Sequence, residues 1–584
     1  MDAPPPAVQD RTAEAENIAE VSRQQSSQAL DALVHAAEAR VTFGLSPVAL
    51  GLAFLDWGIH LANAPFRRLE LAQSARRQLD RLLDAAWGRT VIVPAPGDHR
   101  FTADAWSTLP FNLVKQAFLL AEEWWAAAAS APAGTARADD RLVSFAVRQW
   151  VDMFSPSNVP WLNPEVIDAT INTCGHNLLR GTVNWLDDAR EALGGSPASI
   201  GFVIGENLAA TSGKVIFRNE LMELIQYGPA TPLVNREPIL IVPAWIMKYY
   251  ILDLSPHNSL VRWLVDQGHT VFAISWRNPG AEMRETSLDD YRTKGVLAAL
   301  DAMAAICRGA LIHAVGYCLG GTLLSIAAAA MGRDGDQRLA SVTLFAAQTD
   351  FTEPGELQLF ITEDQLDFLD DLMRAQGYLD THQMAGAFGM LRSNDLIWSR
   401  LVRQYLLGER EHPSDLMAWN ADGTRMPARM HSEYLHRLFL DNELAEGHFI
   451  AGGKPVSIGD IHVPLFVVGT ETDHIAPWRS VYKLHLQNDG DLTFVLTSGG
   501  HNAGVVSEPG HPHRHYRIHR RHRGAPYQGP DDWTAQAELH EGSWWPAWQA
   551  WLTTHSGETI TPPSLGNERF PPLDAAPGRY VLEH

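Results

Sequence analysis

The sequence predicts an α/β fold: a mostly parallel, doubly wound sheet, preceded by a mostly helical N-terminal domain and interrupted by a helical cap. Three observations lead there. Six short apolar runs recur along the chain beyond its first 200 residues: PILIVP (238–243), TVFAIS (270–275), LIHAV (311–315), VTLFA (342–346), PLFVVG (464–469) and LTFVL (492–496). They are continuous rather than alternating, the pattern of strands buried on both faces. Helical stretches at 259–267, 288–308, 320–331 and 477–487 separate several of them, and strands alternating with helices build a parallel sheet. The interval between the fourth and fifth runs is too long for a structureless loop. It carries helical patterns at 363–375, 385–407 and 427–440 and reads as a cap inserted at about 351–455.

Residues 1–25 are acidic and Pro-rich and read as a disordered tail. Apolar residues at three- and four-residue spacing continue to Gly88 and return at 111–129 and 140–154, which makes 26–200 a helical domain. The stretch 155–167 holds three prolines and reads as an ordered loop. The remainder, 201–584, is the catalytic domain with its cap.

Bulk composition narrows the function classes. A net charge of −22 repels nucleic acid and anionic membranes. With 3 cysteines there is no disulfide framework, as expected in a reducing compartment. The N-terminus lacks the basic and apolar regions of a secretory signal. The most apolar early stretch, 47–66, carries Asp56 and His60 and is a poor membrane span. A soluble cytoplasmic protein is the expectation.

The strongest motif is GYCLGG, residues 316–321, between an apolar strand and a helix. This strand–turn–helix setting is that of the nucleophile elbow of an α/β-hydrolase, with Cys318 in place of serine. The elbow is a tight turn in which side chains two residues either side of the nucleophile collide. Gly316 and Gly320 remove them. Cys174 and Cys307 have no such setting and read as structural.

In this fold the acid follows a late strand and the base follows the last. The loop TETDHIAPW after 464–469 offers Glu471 and Asp473, and Asp473 is assigned. Asp473 also suits a helix N-cap. The loop TSGGHNAG after 492–496 presents His501 as base, with His474 the weaker rival. Oxyanion donors are expected at the N–H of Leu319 and at one of Ala244, Trp245 or Ile246, of which Trp245 stands as the candidate. No metal and no cofactor is expected.

Together these motifs resemble the class I polyhydroxyalkanoate synthase family. The resemblance extends through GKVIFRNELMELIQY (213–227), the run 242–279, NDLIWSRLVRQYLLG (394–408), WNADGTRMP (419–427), GTETDHIAPW (469–478), SGGHNAGV (498–505) and GSWWPAWQAWL (542–552). It implies a polymerase of (R)-3-hydroxyacyl-CoA that releases CoA, with Cys318 acylated, His501 as general base and Asp473 as partner acid. It also implies a homodimer at the surface of a polyester granule. Asp473 would either orient the imidazole or help activate the substrate hydroxyl. A thioesterase or depolymerase of the same fold is the alternative enzyme. A non-catalytic granule-associated paralogue is the alternative non-enzyme.

Two features depart from the family pattern. Asn502 stands where an apolar residue is expected, and a basic, His-rich tract, HPHRHYRIHRRHRG (511–524), follows the base loop. The tract reads as a solvated surface loop in preference to a metal site or a seat for CoA phosphates. The Trp-rich stretch 544–551 reads as core in preference to a granule-binding surface.

Overall fold

Every one of the six apolar runs forms a strand, and four more strands extend the sheet. In the computed structural model, residues 45–192 and 201–584 are described except 96, 131, 392, 411 and 412, together with 34, 35, 38 and 42. The expected tail 1–25 lies outside the described residues. The strands are β1 (Gly213–Arg218), β2 (Met222–Tyr227), β3 (Ile239–Val242), β4 (Val271–Trp276), β5 (Ile312–Tyr317), β6 (Leu339–Phe345), β7 (Leu465–Thr470), β8 (Leu492–Thr497), β9 (His515–Arg521) and β10 (Glu538–Glu541). They form one 10-stranded sheet in the order β1-β2-β4-β3-β5-β6-β7-β8-β9-β10. Strands β4, β3, β5, β6, β7 and β8 are parallel, and the flanking pairs are antiparallel. Register places Val242 beside Gly316 and Gly316 beside Leu344. The carboxyl ends of the central strands therefore lie together, where ligands bind in sheets of this kind.

Strands β1 and β2 escaped the pattern reading because polar residues interrupt them. Glu223 and Gln226 are buried within β2. The C-terminal segment satisfies both. Glu223 pairs with Arg218 and accepts the N–H groups of Arg579 (2.9 Å) and Tyr580 (3.0 Å). Gln226 donates to Ser564 O at 3.0 Å and accepts from Gly566 N at 2.8 Å. A buried polar group is tolerated when it is hydrogen-bonded, and apart from Arg218 these partners lie more than 300 residues away in sequence.

The His-rich tract is not a loop. Its residues 515–521 are β9, paired to β8 on one side and β10 on the other. Its charges are matched locally: His515 lies 3.2 Å from Glu471, and Arg520 lies 3.4 Å from Asp491. Paired neighbours on both sides outweigh the unfavourable strand composition.

The chain forms two compact units. One comprises 203–383 with 419–584 and contains the sheet. The other comprises 45–202 with 384–418. Its long helices are Pro47–Ala62, Pro65–Ala86, Phe111–Ala129, Arg137–Met153 and His176–Ala192. Part of the expected cap thus belongs with the N-terminal helices. Asp188 accepts from Arg400 (2.6 Å), Tyr405 (2.8 Å) and Arg410 (2.7 Å). Backbone approach is close there too: a Cβ on Gly181 would fall 1.8 Å from Tyr405 O. Within the stretch read as a loop, Pro164 opens the helix Pro164–Asn172, capped by Asn163, whose Oδ1 accepts from Glu165 N at 2.9 Å. Proline breaks a helix interior but suits its first turn. Among the described residues, no helix is long and apolar enough to cross a membrane.

Candidate active site

Strand β5 ends at Tyr317, and the helix Leu319–Asp334 begins two residues later. Cys318 makes the whole turn between them, with φ 52° and ψ −124°. An L-residue is strained at positive φ, so the surroundings must hold it. They do: Cys318 N donates to Phe345 O at 2.9 Å, and Cys318 O accepts from Gly321 N (2.9 Å) and Thr322 N (3.2 Å). The glycine requirement is steric, as the motif implied. A Cβ at Gly316 would stand 2.4 Å from the Cα of Gly321, and one at Gly320 would stand 2.2 Å from Val242 O. Gly321, which the sequence reading did not single out, is equally confined: its Cβ would meet that of Ala347 at 2.4 Å.

Asp473 follows β7 and His501 follows β8, and the parallel pairing of these strands delivers both to one place. Nδ1 of His501 lies 2.8 Å from Oδ2 of Asp473. Thr470 donates to the same oxygen at 2.8 Å. Oδ1 of Asp473 accepts the N–H groups of Ile475 and Ala476, each at 2.9 Å. One carboxylate thus both caps the following turn and holds the imidazole. Glu471 turns to His515 instead. The His474 carbonyl accepts from Glu356 N at 3.2 Å.

Electrostatics follow from this packing. Burial works against charge on Asp473, yet the His501 charge and hydrogen bond, with the Ala476 N–H and Thr470 hydroxyl, hold its carboxyl below the usual range. Burial also works against a charged His501. The Cys318 and Asp473 charges and hydrogen bonds overcome it and hold the imidazole well above its ordinary value. With Nδ1 on Asp473, Nε2 is the nitrogen left for Cys318. Burial, and then the charge at Cys318, pushes up the buried phenols Tyr317 and Tyr434.

The two candidate oxyanion donors lie on segments in close contact, since Gly320 packs against the backbone of Val242 and Pro243. The Trp245 loop is fixed from the 419–427 segment: Thr424 Oγ1 donates to Trp245 O at 2.5 Å, and Trp419 Nε1 donates to Lys248 O at 2.8 Å. The Trp245 indole packs against Tyr434, with ring centroids 6.0 Å apart. Tyr434 comes from the inserted region, and nothing in its sequence setting marked it.

The Trp-rich helix has a structural task at this site. Trp544, Trp545 and Trp548 are buried. Trp544 Nε1 donates to Gly504 O at 2.9 Å and Trp545 Nε1 to Val505 O at 3.0 Å, clasping the base loop. Cys307 is buried at a helix end, where desolvation pushes its thiol up to about 12. Cys174 is exposed. Among the described residues, no group of three or more His, Cys, Asp or Glu is placed to hold a metal ion.

A cysteine at the elbow after β5 of a mostly parallel sheet, with a carboxylate after β7 and a histidine after β8, defines a protein of the α/β-hydrolase fold with a thiol at the nucleophile position. Comparison with known proteins narrows this. Residues 97–264 match the family described as "Poly-beta-hydroxybutyrate polymerase (PhaC) N-terminus", residues 25–67 the "Poly-beta-hydroxybutyrate polymerase N terminal" family, and residues 237–507 the alpha/beta hydrolase fold. The chain is 40% identical over 530 residues to the poly(3-hydroxyalkanoate) polymerase of Methylorubrum extorquens, which covers 88% of this chain and 87% of that one. It is 36% identical over 542 residues to the poly(3-hydroxyalkanoate) polymerase subunit PhaC of Cupriavidus necator, which covers 91% of each. The chain belongs to the poly(3-hydroxyalkanoate) polymerase family and is an acyltransferase by class.

Proposed function

We propose that the protein polymerises (R)-3-hydroxyacyl-CoA into polyester with release of CoA, using Cys318 as acyl carrier, His501 as general base and Asp473 as its partner. Family membership supports the substrate class. The observation that carries the residue roles is the strained elbow placement of Cys318 beside an imidazole tied at 2.8 Å to Asp473.

His501 Nε2 takes the Cys318 proton, and the sulfur attacks the thioester carbonyl. The negative charge on the carbonyl oxygen is met by the N–H groups of Leu319 and Trp245. The C–S bond to CoA breaks, the imidazolium gives its proton to the departing thiolate, and the acyl group stays on Cys318 as a thioester. A 3-hydroxyl then loses its proton to His501 and attacks that thioester. An ester forms, and the Cys318 sulfur leaves with its pair. Thioester exchange is close to isoenergetic, so the acyl-enzyme remains activated for the hydroxyl. The carboxylate of Asp473 keeps Nδ1 protonated and steadies the imidazolium. Work at a granule surface and as a homodimer complete the proposal, both on the strength of family membership.

The direct test is a short incubation with 3-hydroxybutyryl-CoA, an acid quench and mass analysis of the Cys318 peptide. A 3-hydroxybutyryl increment on Cys318 is the expected result. Full turnover with that peptide unmodified under every quench would remove Cys318 from the role.

A further inference from the structure

The departure at Asn502 has a partner. Tyr317, the last residue of β5, is buried, and its hydroxyl donates to Asn502 Oδ1 at 2.6 Å. Tyr317 immediately precedes Cys318, and Asn502 immediately follows His501. One hydrogen bond therefore joins the residue beside the thiol to the residue beside the imidazole. The Tyr317 ring also lies alongside that of His501, with centroids 5.6 Å apart and planes at 36°.

Asp473 holds the imidazole itself through Nδ1, and the restraints on the flanking backbone of the base loop act further away. Trp544 and Trp545 hold the carbonyls of Gly504 and Val505, three and four residues beyond His501. On the other side, Thr472 N donates to Gly499 O at 3.1 Å, two residues before it. The carbonyl of Asn502 accepts from Val505 N (3.1 Å) and Val506 N (2.9 Å), so Asn502 is stiffly joined to the clasped part of the loop. Its side chain alone reaches the nucleophile strand from a position adjoining the imidazole. We infer that Tyr317 and Asn502 are a positioning pair, whose hydrogen bond sets the separation of the His501 imidazole from the Cys318 thiol. The inference rests on the roles proposed above for Cys318 and His501.

The pair would act by stiffening the site. General-base transfer needs heavy atoms within hydrogen-bond reach, and a displacement of about 1 Å at a reacting group costs about a hundredfold in rate. A side-chain tether between adjoining backbone positions resists such displacement directly. An apolar contact at the same place has no fixed direction and resists it less.

The test is a double-mutant cycle of Tyr317→Phe, Asn502→Leu and the pair together, each checked for a native melt. The readout is the rate of alkylation by iodoacetamide against pH, followed at the Cys318 peptide so that exposed Cys174 does not contribute. This readout needs no acyl substrate. Each single variant is expected to alkylate about tenfold more slowly at pH 7, and the double variant by the same factor rather than a hundredfold, because one bond is lost in all three. kcat for CoA release should fall in parallel with KM unchanged. Wild-type rates in the single variants, or losses that multiply in the double variant, would overturn the pairing. An unreactive wild type toward 3-hydroxyacyl-CoA, with the alkylation cycle as expected, would sink the proposed function and leave the pairing standing.

Discussion

Nδ1 of His501 and Oδ2 of Asp473 are 2.8 Å apart, and both side chains are buried. That distance fixes the imidazole's orientation and leaves its other nitrogen for the thiol. Replacing Asp473 with asparagine keeps the shape but offers an N–H or a neutral oxygen where an anion stood. Acylation of Cys318 is expected to slow by about 10²–10⁴, the range that an oriented general base contributes. Single-turnover CoA release would measure this. A variant that acylates normally but fails to elongate would instead place Asp473 on the substrate hydroxyl.

Cys318→Ala should abolish CoA release while leaving the melt close to that of the wild type, since one heavy atom is lost from a partly exposed position. Comparing activity and thermal unfolding on the same preparation checks this. Loss of both would mean that the residue is needed for folding rather than chemistry.

The elbow glycines should behave unlike glycines elsewhere. Gly320→Ala pushes a Cβ into Val242 O and the Pro243 backbone, neither of which can yield cheaply. A loss of about 1–3 kcal/mol or more is expected from such overpacking, together with loss of activity. At Gly58, within the helix Pro47–Ala62, a Cβ would meet nothing within 4 Å. Alanine there should stabilise its helix by about 0.5–1 kcal/mol. Denaturant unfolding of the two variants provides the contrast.

Acid should destabilise the fold through its buried histidines. His313 lies in β5 between Ser341 (2.7 Å) and Ser556 (3.1 Å). Burial, with smaller contributions from His269 and His555, lowers its pKa to about 3. A histidine depressed on folding contributes its full share above the unfolded pKa, and that share is lost as pH falls from there towards 3. By pH 5 the loss is about 2 kcal/mol. His313→Gln keeps a hydrogen-bonding side chain that does not titrate, so its melt should fall less between pH 7 and pH 5 than that of the wild type. Equal slopes would assign the acid sensitivity elsewhere.

How far the site could be read from sequence depended on how local its signals were. The elbow motif carries its own steric logic, so Cys318, Gly316 and Gly320 were legible from six residues and their flanks. Asp473 and His501 were legible because chain order and strand ends constrain them. The Gln226–Gly566 and Glu223–Tyr580 hydrogen bonds were not, since the groups that neutralise a polar residue inside β2 come from the far end of the chain. The tract 511–524 misled for a related reason: its composition disfavours a strand, but β8 and β10 on either side supply pairing that composition does not reveal. Asn502 was visible only as an anomaly until the structure placed the Tyr317 hydroxyl against it.

In the proposed reaction, acyl groups pass from CoA to Cys318 and then to a hydroxyl rather than to water. Its most direct measurement is CoA release from 3-hydroxybutyryl-CoA, and from a medium-chain 3-hydroxyacyl-CoA, with chloroform extraction of the products. CoA release accompanied by chloroform-soluble polyester is expected with at least one of them. CoA release that yields only free hydroxy acid would contradict it and make the protein a hydrolase.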